Sequence, residues 1–156
     1  MKRGPGKKTE CWDEPSAKFA LAVPEYSKYS TLQKGKIAEV AVLFRLVLHG
    51  LTVYGSIFDG DKADWVVKAP SGRLITVQVK TARATKTQAP SVKTCCSGPL
   101  WGTRQSYKEG DLDVLVGYVF RTDTCYVWTW DEIKEHKTSI SVTPKAAEAW
   151  HKVMGL

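Results

Sequence analysis

The chain has 156 residues, enough for one domain with a hydrophobic core and too few for two of ordinary size. Its apolar fraction of 43% and charged fraction of 25% are those of a soluble globular protein, and no apolar run reaches the roughly 18 residues of a membrane-spanning helix. The net charge of +7 favours a polyanionic partner such as nucleic acid, although a basic surface can also serve solubility alone.

Residues 1–29 are predicted to be an N-terminal arm, either wrapped on the domain or partly disordered, and residues 30–156 a single domain. The arm contains three prolines and scattered charges without periodicity. Its basic start, which includes Lys7 and Lys8, lacks the apolar segment of a secretory signal, so we expect an intracellular protein. The four cysteines lack the paired spacing of zinc ligands and are interpreted as reduced thiols.

A helix is predicted to begin at Ser30 or Thr31, residue types that cap helices, and to run to about His49, with Gly50 ending it. Within this helix, Glu39 has apolar neighbours at its i+3, i+4 and i+7 positions. A carboxylate on such a surface is costly unless a positive or hydrogen-bonding group meets it. Two interpretations stay open for this acid, an ordinary ion pair or a place in a functional site.

Three strand-like segments follow, separated by turn sequences rich in Asp, Gly, Pro and Ser. These segments are Thr52–Phe58, Ala63–Lys68 and Arg73–Lys80. On the third, Gln78 and Lys80 share one face. A five-residue connection between the last two strands would place Asp64 opposite Gln78, whereas a four-residue connection would turn it to the other face.

Residues 81–110 are polar and rich in Thr, Ser, Gly and Pro, which predicts a long loop or a loop with one short helix. No acidic residue occurs from Thr81 to Lys108, and a stretch of one charge sign indicates nucleic-acid contact more strongly than bulk charge does. Trp101 could stack on a base or wedge into a duplex, or it could cover the loop or a subunit contact. The candidate DNA-binding residues, together with Lys7 and Lys8, are Arg83, Lys86, Lys93, Trp101, Arg104 and Lys108.

The remaining chain is predicted to form a hairpin, a helical turn and a terminal helix. The hairpin strands are Asp113–Phe120 and Cys125–Trp130, the turn is Asp131–His136, and the helix is Lys145–Met154. Hairpin strands flanked by helices indicate an α+β or mixed α/β fold around one central sheet.

Three short sequences, taken in order, resemble the PD-(D/E)XK nuclease superfamily: Gly-Lys-Ile-Ala-Glu ending at Glu39, Lys-Ala-Asp ending at Asp64, and Gln78-Val79-Lys80. The likeness covers about residues 33–133. It is strongest to the small branch of group I intron homing endonucleases that carries glutamine in this motif, and more distant to archaeal Holliday junction resolvases. It implies a restriction-endonuclease-like core, in which a helix and an antiparallel three-stranded unit are followed by a helix and a further strand of a mixed sheet.

The same resemblance implies a metal-dependent DNA endonuclease with a site residue on each of these elements. Asp64 would ligate the metal, joined by the side-chain oxygen of Gln78 and the carbonyl of Val79. Glu39 would act through a water molecule or orient the other ligands. Lys80 would position the attacking water or stabilise transition-state charge. Hard oxygen donors of this kind suit Mg²⁺ or Mn²⁺.

Two positions depart from the motif name, Ala63 in place of proline and Gln78 in place of an acid. The neutral amide removes one negative charge and should loosen metal binding. The preferred function is a sequence-specific homing endonuclease that makes double-strand breaks. The alternatives are a junction-resolving nuclease with the same residues and a non-catalytic DNA-binding protein with a degenerate nuclease fold. Two strand cuts need two active sites and the chain has one, so a homodimer or homotetramer is expected.

Overall fold

A central five-stranded sheet organises the part of the chain that the computed structural model describes, which comprises residues 26–56, 61–83, 89–98, 100 and 102–156. The helices are α1 (Thr31–Leu48), α2 (Trp130–Ile133) and α3 (His151–Met154). The strands are β1 (Thr52–Gly55), β2 (Trp65–Lys68), β3 (Leu74–Thr81), β4 (Ser91–Lys93), β5 (Cys95–Ser97), β6 (Arg104–Ser106), β7 (Val114–Val119), β8 (Thr124–Thr129) and β9 (Ser139–Ser141). Single 3₁₀ turns lie at Tyr26–Lys28, Phe120–Thr122 and Pro144–Ala146.

The sheet is mixed, with the order β1-β2-β3-β7-β8. Strands β1, β2 and β3 form an antiparallel unit, β3 runs parallel to β7, and β7 and β8 form the predicted hairpin. Two small sheets, β4 with β9 and β5 with β6, lie beside it. The predicted fold class, a mixed central sheet containing an antiparallel three-stranded unit and flanked by helices, is confirmed.

Helix α1 begins and ends where the sequence predicts. The Ser30 hydroxyl accepts a hydrogen bond from the Gln33 N–H while the Gln33 side chain accepts from the Ser30 N–H, a capping box that satisfies two backbone donors at the helix start. Gly50 follows the helix with a φ of +75°, a conformation that glycine adopts without the steric cost of a side chain. The buried side chains of α1 pack on the sheet, so the helix stands over one face.

Alternating side chains of β7 and β8 separate two hydrophobic cores. Val114 and Val116 of β7 join the core beneath α1, whereas Leu115 and Val119 join the core on the opposite face. The same alternation continues on β8, as expected when a sheet is covered on both sides. The core on the face away from α1 is called the second core below; it also includes Val92 of β4.

Three predictions about secondary structure are wrong. The described residues between 82 and 110 include the short strands β4, β5 and β6, where a loop or a loop with one short helix is predicted. The predicted helix Lys145–Met154 is interrupted, because Glu148 has a φ of +46° and only its last turn is α-helical. Strand β1 ends at Gly55, short of the predicted end at Phe58, which itself lies outside the described residues.

Gly117 on β7 makes room for β4 against the central sheet. A Cβ at this position would overlap Val92 Cγ2 and approach Trp128 Cζ3 to 3.1 Å. Replacing Gly117 by alanine is therefore expected to destabilise the protein by about 1–3 kcal/mol, measured by urea unfolding. The matched control is Gly35→Ala in α1, where an added Cβ would meet no atom within 4 Å beyond its chain neighbours and the helix's own backbone, and alanine should stabilise the helix by roughly 0.5–1 kcal/mol. Free energies of unfolding that shift in the same direction would contradict this account of the packing.

Within the described part of the chain, no helix is both long and apolar enough to cross a lipid bilayer. The cysteines that the structure describes, Cys95, Cys96 and Cys125, are free thiols, in agreement with the prediction for these three.

Candidate active site

The hairpin of β2 and β3 sets the register of the candidate site. Trp65 pairs with Val77, and the Asp64 N–H donates a hydrogen bond to the Val77 carbonyl at 3.0 Å. Residues 69–73 form the five-residue connection between the two strands. Asp64 therefore stands opposite Gln78, as the longer of the two connections considered predicts.

Three groups meet at the Asp64 carboxylate. Its Oδ2 accepts hydrogen bonds from the Val79 N–H at 2.7 Å and from the Gln78 side-chain amide. The same amide nitrogen donates to the Val79 carbonyl oxygen at 3.1 Å. Gln78 is buried, with 6% of its surface exposed. The Gln78 amide thus lies within hydrogen-bonding distance of both the Asp64 carboxylate and the Val79 carbonyl.

Electrostatics connect Asp64 to two further residues predicted for the site. Burial raises the pKa of the Asp64 carboxyl above its usual value, and the negative charge of Glu39 on α1 raises it further. The Val79 N–H opposes this rise, as do the positive charges of Lys80 and Lys36. An acid on α1, an acid directly before β2 and a lysine on β3 therefore interact in one place.

Glu39 also has the ordinary partner that the sequence left open. Lys36 Nζ lies 2.8 Å from Glu39 Oε2, one helical turn away. The Lys36 side chain is 65% exposed, and an ion pair of this kind contributes little free energy in water. The pair is compatible with a second role for Glu39 because it leaves the acid close enough to affect Asp64.

Lys80 projects on the same face of β3 as Gln78 and lies over an aromatic ring that is not among the predicted site residues. Lys80 Nζ is 5.9 Å from the ring centroid of Tyr107. Tyr107 is buried and follows β6 directly. Because the sequence predicts a loop over residues 81–110, no local pattern places this aromatic beneath a strand lysine. The one signal in the sequence that could have pointed to Tyr107 is its position in the acid-free stretch, residues 81–108.

A cleft of about 740 Å³ extends from Lys80 between the small strands. Its cationic lining consists of Lys80, Arg83, Lys93 and Arg104, and its other lining residues are Cys95, Cys96, Ser97, Gly98, Leu100, Gly102 and Thr103. None of these lining residues carries a carboxylate, so the cleft is a concentration of positive charge beside the candidate site.

The structure gathers some of the predicted DNA-binding residues and not others. Arg83, Lys93 and Arg104 line the cleft with Lys80. Lys108 is exposed but is not among the lining residues, and its N–H donates to Asp111 Oδ2 at 2.8 Å. The predictions for Lys7, Lys8, Lys86 and Trp101 fall on residues outside the described part of the chain.

The chain is similar to known proteins in both sequence and structure. The chain is 35% identical to protein 5.3 of Escherichia phage T7 over 108 residues, which cover 69% of this chain and 86% of the phage protein. It is similar to the structure of a bacterial homing endonuclease, I-Ssp6803I, with a TM-score of 0.72 and 28% identity over 81% of this chain and 95% of that one. The family model described as PD-(D/E)XK endonuclease matches residues 29–154. The chain therefore belongs to the PD-(D/E)XK endonuclease family.

Proposed function

We propose that this endonuclease is metal-dependent and hydrolyses phosphodiester bonds in double-stranded DNA at the site formed by Asp64, Gln78, Val79 and Lys80, with Glu39 beside them. The observation that carries the proposal is the meeting of a carboxylate, an amide and a backbone carbonyl next to a lysine. Family membership supports the reaction class.

The donor groups fit a hard divalent cation. Asp64 Oδ1 accepts no hydrogen bond from the described residues, so it remains available as a ligand. A half-turn of the Gln78 amide exchanges its nitrogen and oxygen, which lets the same side chain offer an oxygen beside the Val79 carbonyl. Such oxygen donors suit Mg²⁺ or Mn²⁺. Among the described residues there is no metal-binding group of three or more His, Cys, Asp and Glu, so this mixed set is the one proposed to bind the ion, with Glu39 acting directly or through water.

A divalent cation supplies charge neutralisation at the phosphoryl group and a more acidic water. In the proposed reaction, Lys80 orients the attacking water or offsets negative charge in the transition state. The buried Gln78 and the Val79 backbone keep the Asp64 carboxylate in one orientation through the hydrogen bonds described above. Positioning and charge, rather than covalent chemistry, are thus the contributions of the chain.

The cleft provides a path for the DNA backbone. Its cations, Arg83, Lys93 and Arg104, would contact phosphates on one side of the proposed cutting site. We propose sequence-specific cutting of both strands, supported by the similarity to a bacterial homing endonuclease.

Cleavage of a randomised duplex library in Mg²⁺, with a four-way junction assayed beside it, tests the proposal. The expected result is one recurring duplex sequence among the cut molecules and complete loss of cutting with a chelator. Preferential cutting of the junction regardless of sequence would replace homing by junction resolution. Binding without cutting in both Mg²⁺ and Mn²⁺ would indicate a non-catalytic DNA-binding protein.

The outer face of α1 supports the proposal that two copies assemble. Val40, Phe44, Val47 and Leu48 are each more than half exposed, and their spacing places them on one side of the helix. An apolar patch of this kind is typical of protein contacts. We propose a second copy of this chain as its partner, because each chain offers one candidate site and a double-strand break needs two.

Phe44→Glu is expected to convert the assembly into monomers, measured by sedimentation, because a charge would replace apolar contact area. On supercoiled plasmid the wild type should release linear DNA, whereas Phe44→Glu should accumulate the nicked circle. Leu74→Glu is the matched control, since Leu74 is 59% exposed on β3 and lies outside the α1 face. A monomeric wild type, or an unchanged assembly in Phe44→Glu, would contradict this interface.

A further inference from the structure

Tyr107 carries a buried hydroxyl group that no described group satisfies. The residue is 6% exposed, and its Oη has no hydrogen-bond partner among the described residues. Its ring belongs to the second core, where it joins Val92 and Leu112. Buried hydroxyl groups are normally paired, because removing one from water without a partner costs free energy. The orphan hydroxyl of Tyr107 is therefore a feature that packing alone does not explain.

The neighbour of this ring is Lys80. The ammonium lies 5.9 Å from the ring centroid, within the range of a cation–π contact. Among the described residues Lys80 has no carboxylate in an ion pair and no hydrogen-bond acceptor for its ammonium. An ammonium has three donors, and a phenol oxygen can accept. Two adjacent groups thus have complementary hydrogen-bonding capacity that the described residues do not use.

The phenol also lies within electrostatic range of Asp64. Burial raises the pKa of Tyr107 above its usual value, and Cys96 and then Asp64 raise it further. The phenol is therefore neutral at physiological pH and keeps both its proton and its accepting lone pairs. Tyr107 consequently belongs to the surroundings of the candidate site as well as to the second core.

We propose that Tyr107 is a positioning residue for Lys80: its ring supports the ammonium, and its phenol oxygen accepts a hydrogen bond from that ammonium when the site is loaded. The inference rests on the role proposed above for Lys80. It gives Lys80 a fixed direction that a flexible lysine stem does not have by itself.

Tyr107→Phe is expected to lower kcat on the order of 10-fold, the size associated with a hydrogen bond to a charged group, while KM and the affinity for DNA stay unchanged. Tyr107→Leu, which also removes the ring, should lower kcat further. The thermal stability of Tyr107→Phe should not fall, because the hydroxyl makes no hydrogen bond that the substitution removes. A residue that only fills the core would leave kcat at the wild-type value in Tyr107→Phe.

Tyr118→Phe is the matched control. Tyr118 is also buried, but its hydroxyl donates to Asp123 Oδ1 at 2.7 Å and takes no part in the proposed site. Losing this hydrogen bond should lower the melting temperature and leave kcat unchanged. Tyr107→Phe is thus expected to lower kcat but not the melting temperature, whereas Tyr118→Phe is expected to lower the melting temperature but not kcat.

A second readout does not depend on cleavage. Reductive methylation of Lys80, followed by mass spectrometry on full-length protein with Mg²⁺, should be faster in Tyr107→Phe and Tyr107→Leu than in the wild type. If the wild type cuts no DNA, the proposed function fails, but the methylation rate still tests whether Tyr107 contacts Lys80. Unchanged kcat or an unchanged methylation rate in Tyr107→Phe would overturn the inference.

Discussion

Asp64→Asn and Lys80→Met are each expected to lower the rate of DNA cleavage by at least about 100- to 1,000-fold while DNA binding is retained. Among the described residues, Asp64 is the one carboxylate that contacts both the Gln78 amide and the Val79 backbone, so its charge is the main attraction for a cation. Lys80 is the strand lysine beside this group. The cationic cleft stays intact in Asp64→Asn, so affinity for DNA should persist when measured with Ca²⁺ in place of Mg²⁺.

The stability of Asp64→Asn distinguishes loss of chemistry from loss of structure. Because the pKa of Asp64 is raised in the folded protein, its charged form at neutral pH costs folding free energy. That cost is absent below the ordinary aspartate pKa and grows as the pH rises through the raised value. An asparagine oxygen can still accept from the Val79 N–H. The metal-free variant should therefore melt at or above the wild-type temperature at neutral pH.

Asp131→Asn and Lys134→Met are the matched controls for these substitutions. Asp131 and Lys134 form an exposed pair at α2, with Nζ 2.7 Å from Oδ1. Each control removes the same charge as its counterpart in the site, and each should cut DNA at the wild-type rate. Cleavage at the wild-type rate by Asp64→Asn or Lys80→Met would show that the reaction takes place elsewhere.

Local rules were sufficient to predict the elements that carry the candidate site. The capping residue types at Ser30 and Thr31 and the glycine at position 50 delimit α1 from sequence alone. A five-residue turn fixes the β2–β3 register, and the register decides which face Asp64 occupies. Each of these features depends on residues close together in the chain, which is why they could be predicted.

The acid-free stretch could not be predicted in the same way, because its strands have only three residues each and depend on distant partners. Strand β4 pairs with β9, nearly fifty positions later in the sequence, and its Val92 packs against Gly117, which has no side chain. Its strand propensity is weak without these contacts. The cleft and the Tyr107 contact both follow from this packing and therefore became visible only in the structure.

The interrupted C-terminal helix has a similar cause. Glu148 accepts hydrogen bonds from the Cys125 N–H at 2.7 Å and from the Trp150 indole at 2.6 Å, and it pairs with Arg45 at 3.2 Å. These tertiary contacts, together with a bridge between Ala147 and Tyr126, hold the segment against β8 in a conformation that a helix cannot adopt. Apolar spacing alone predicts a continuous helix because it contains none of this information.

Replacing Arg83, Lys93 and Arg104 together by glutamine is expected to weaken DNA binding and flatten its salt dependence. Each cation that contacts a phosphate releases condensed counterions, so log K falls with log salt by about one unit for each contact. The triple variant should therefore lose up to about three units of slope. Fluorescence anisotropy with the Asp64→Asn protein as background, at several salt concentrations, measures the slope without cleavage.

The control for this experiment must remove the same net charge away from the cleft. Lys68, Lys134 and Lys145 are exposed lysines that do not line it, so their replacement by glutamine lowers the net charge equally. If general attraction between a basic protein and DNA is responsible for binding, both triple variants should weaken it alike. If the slope of log K against log salt falls only in the cleft variant, the phosphate contacts belong to the cleft cations beside Lys80. If the slope is unchanged in the cleft variant, the cleft is not part of the DNA interface.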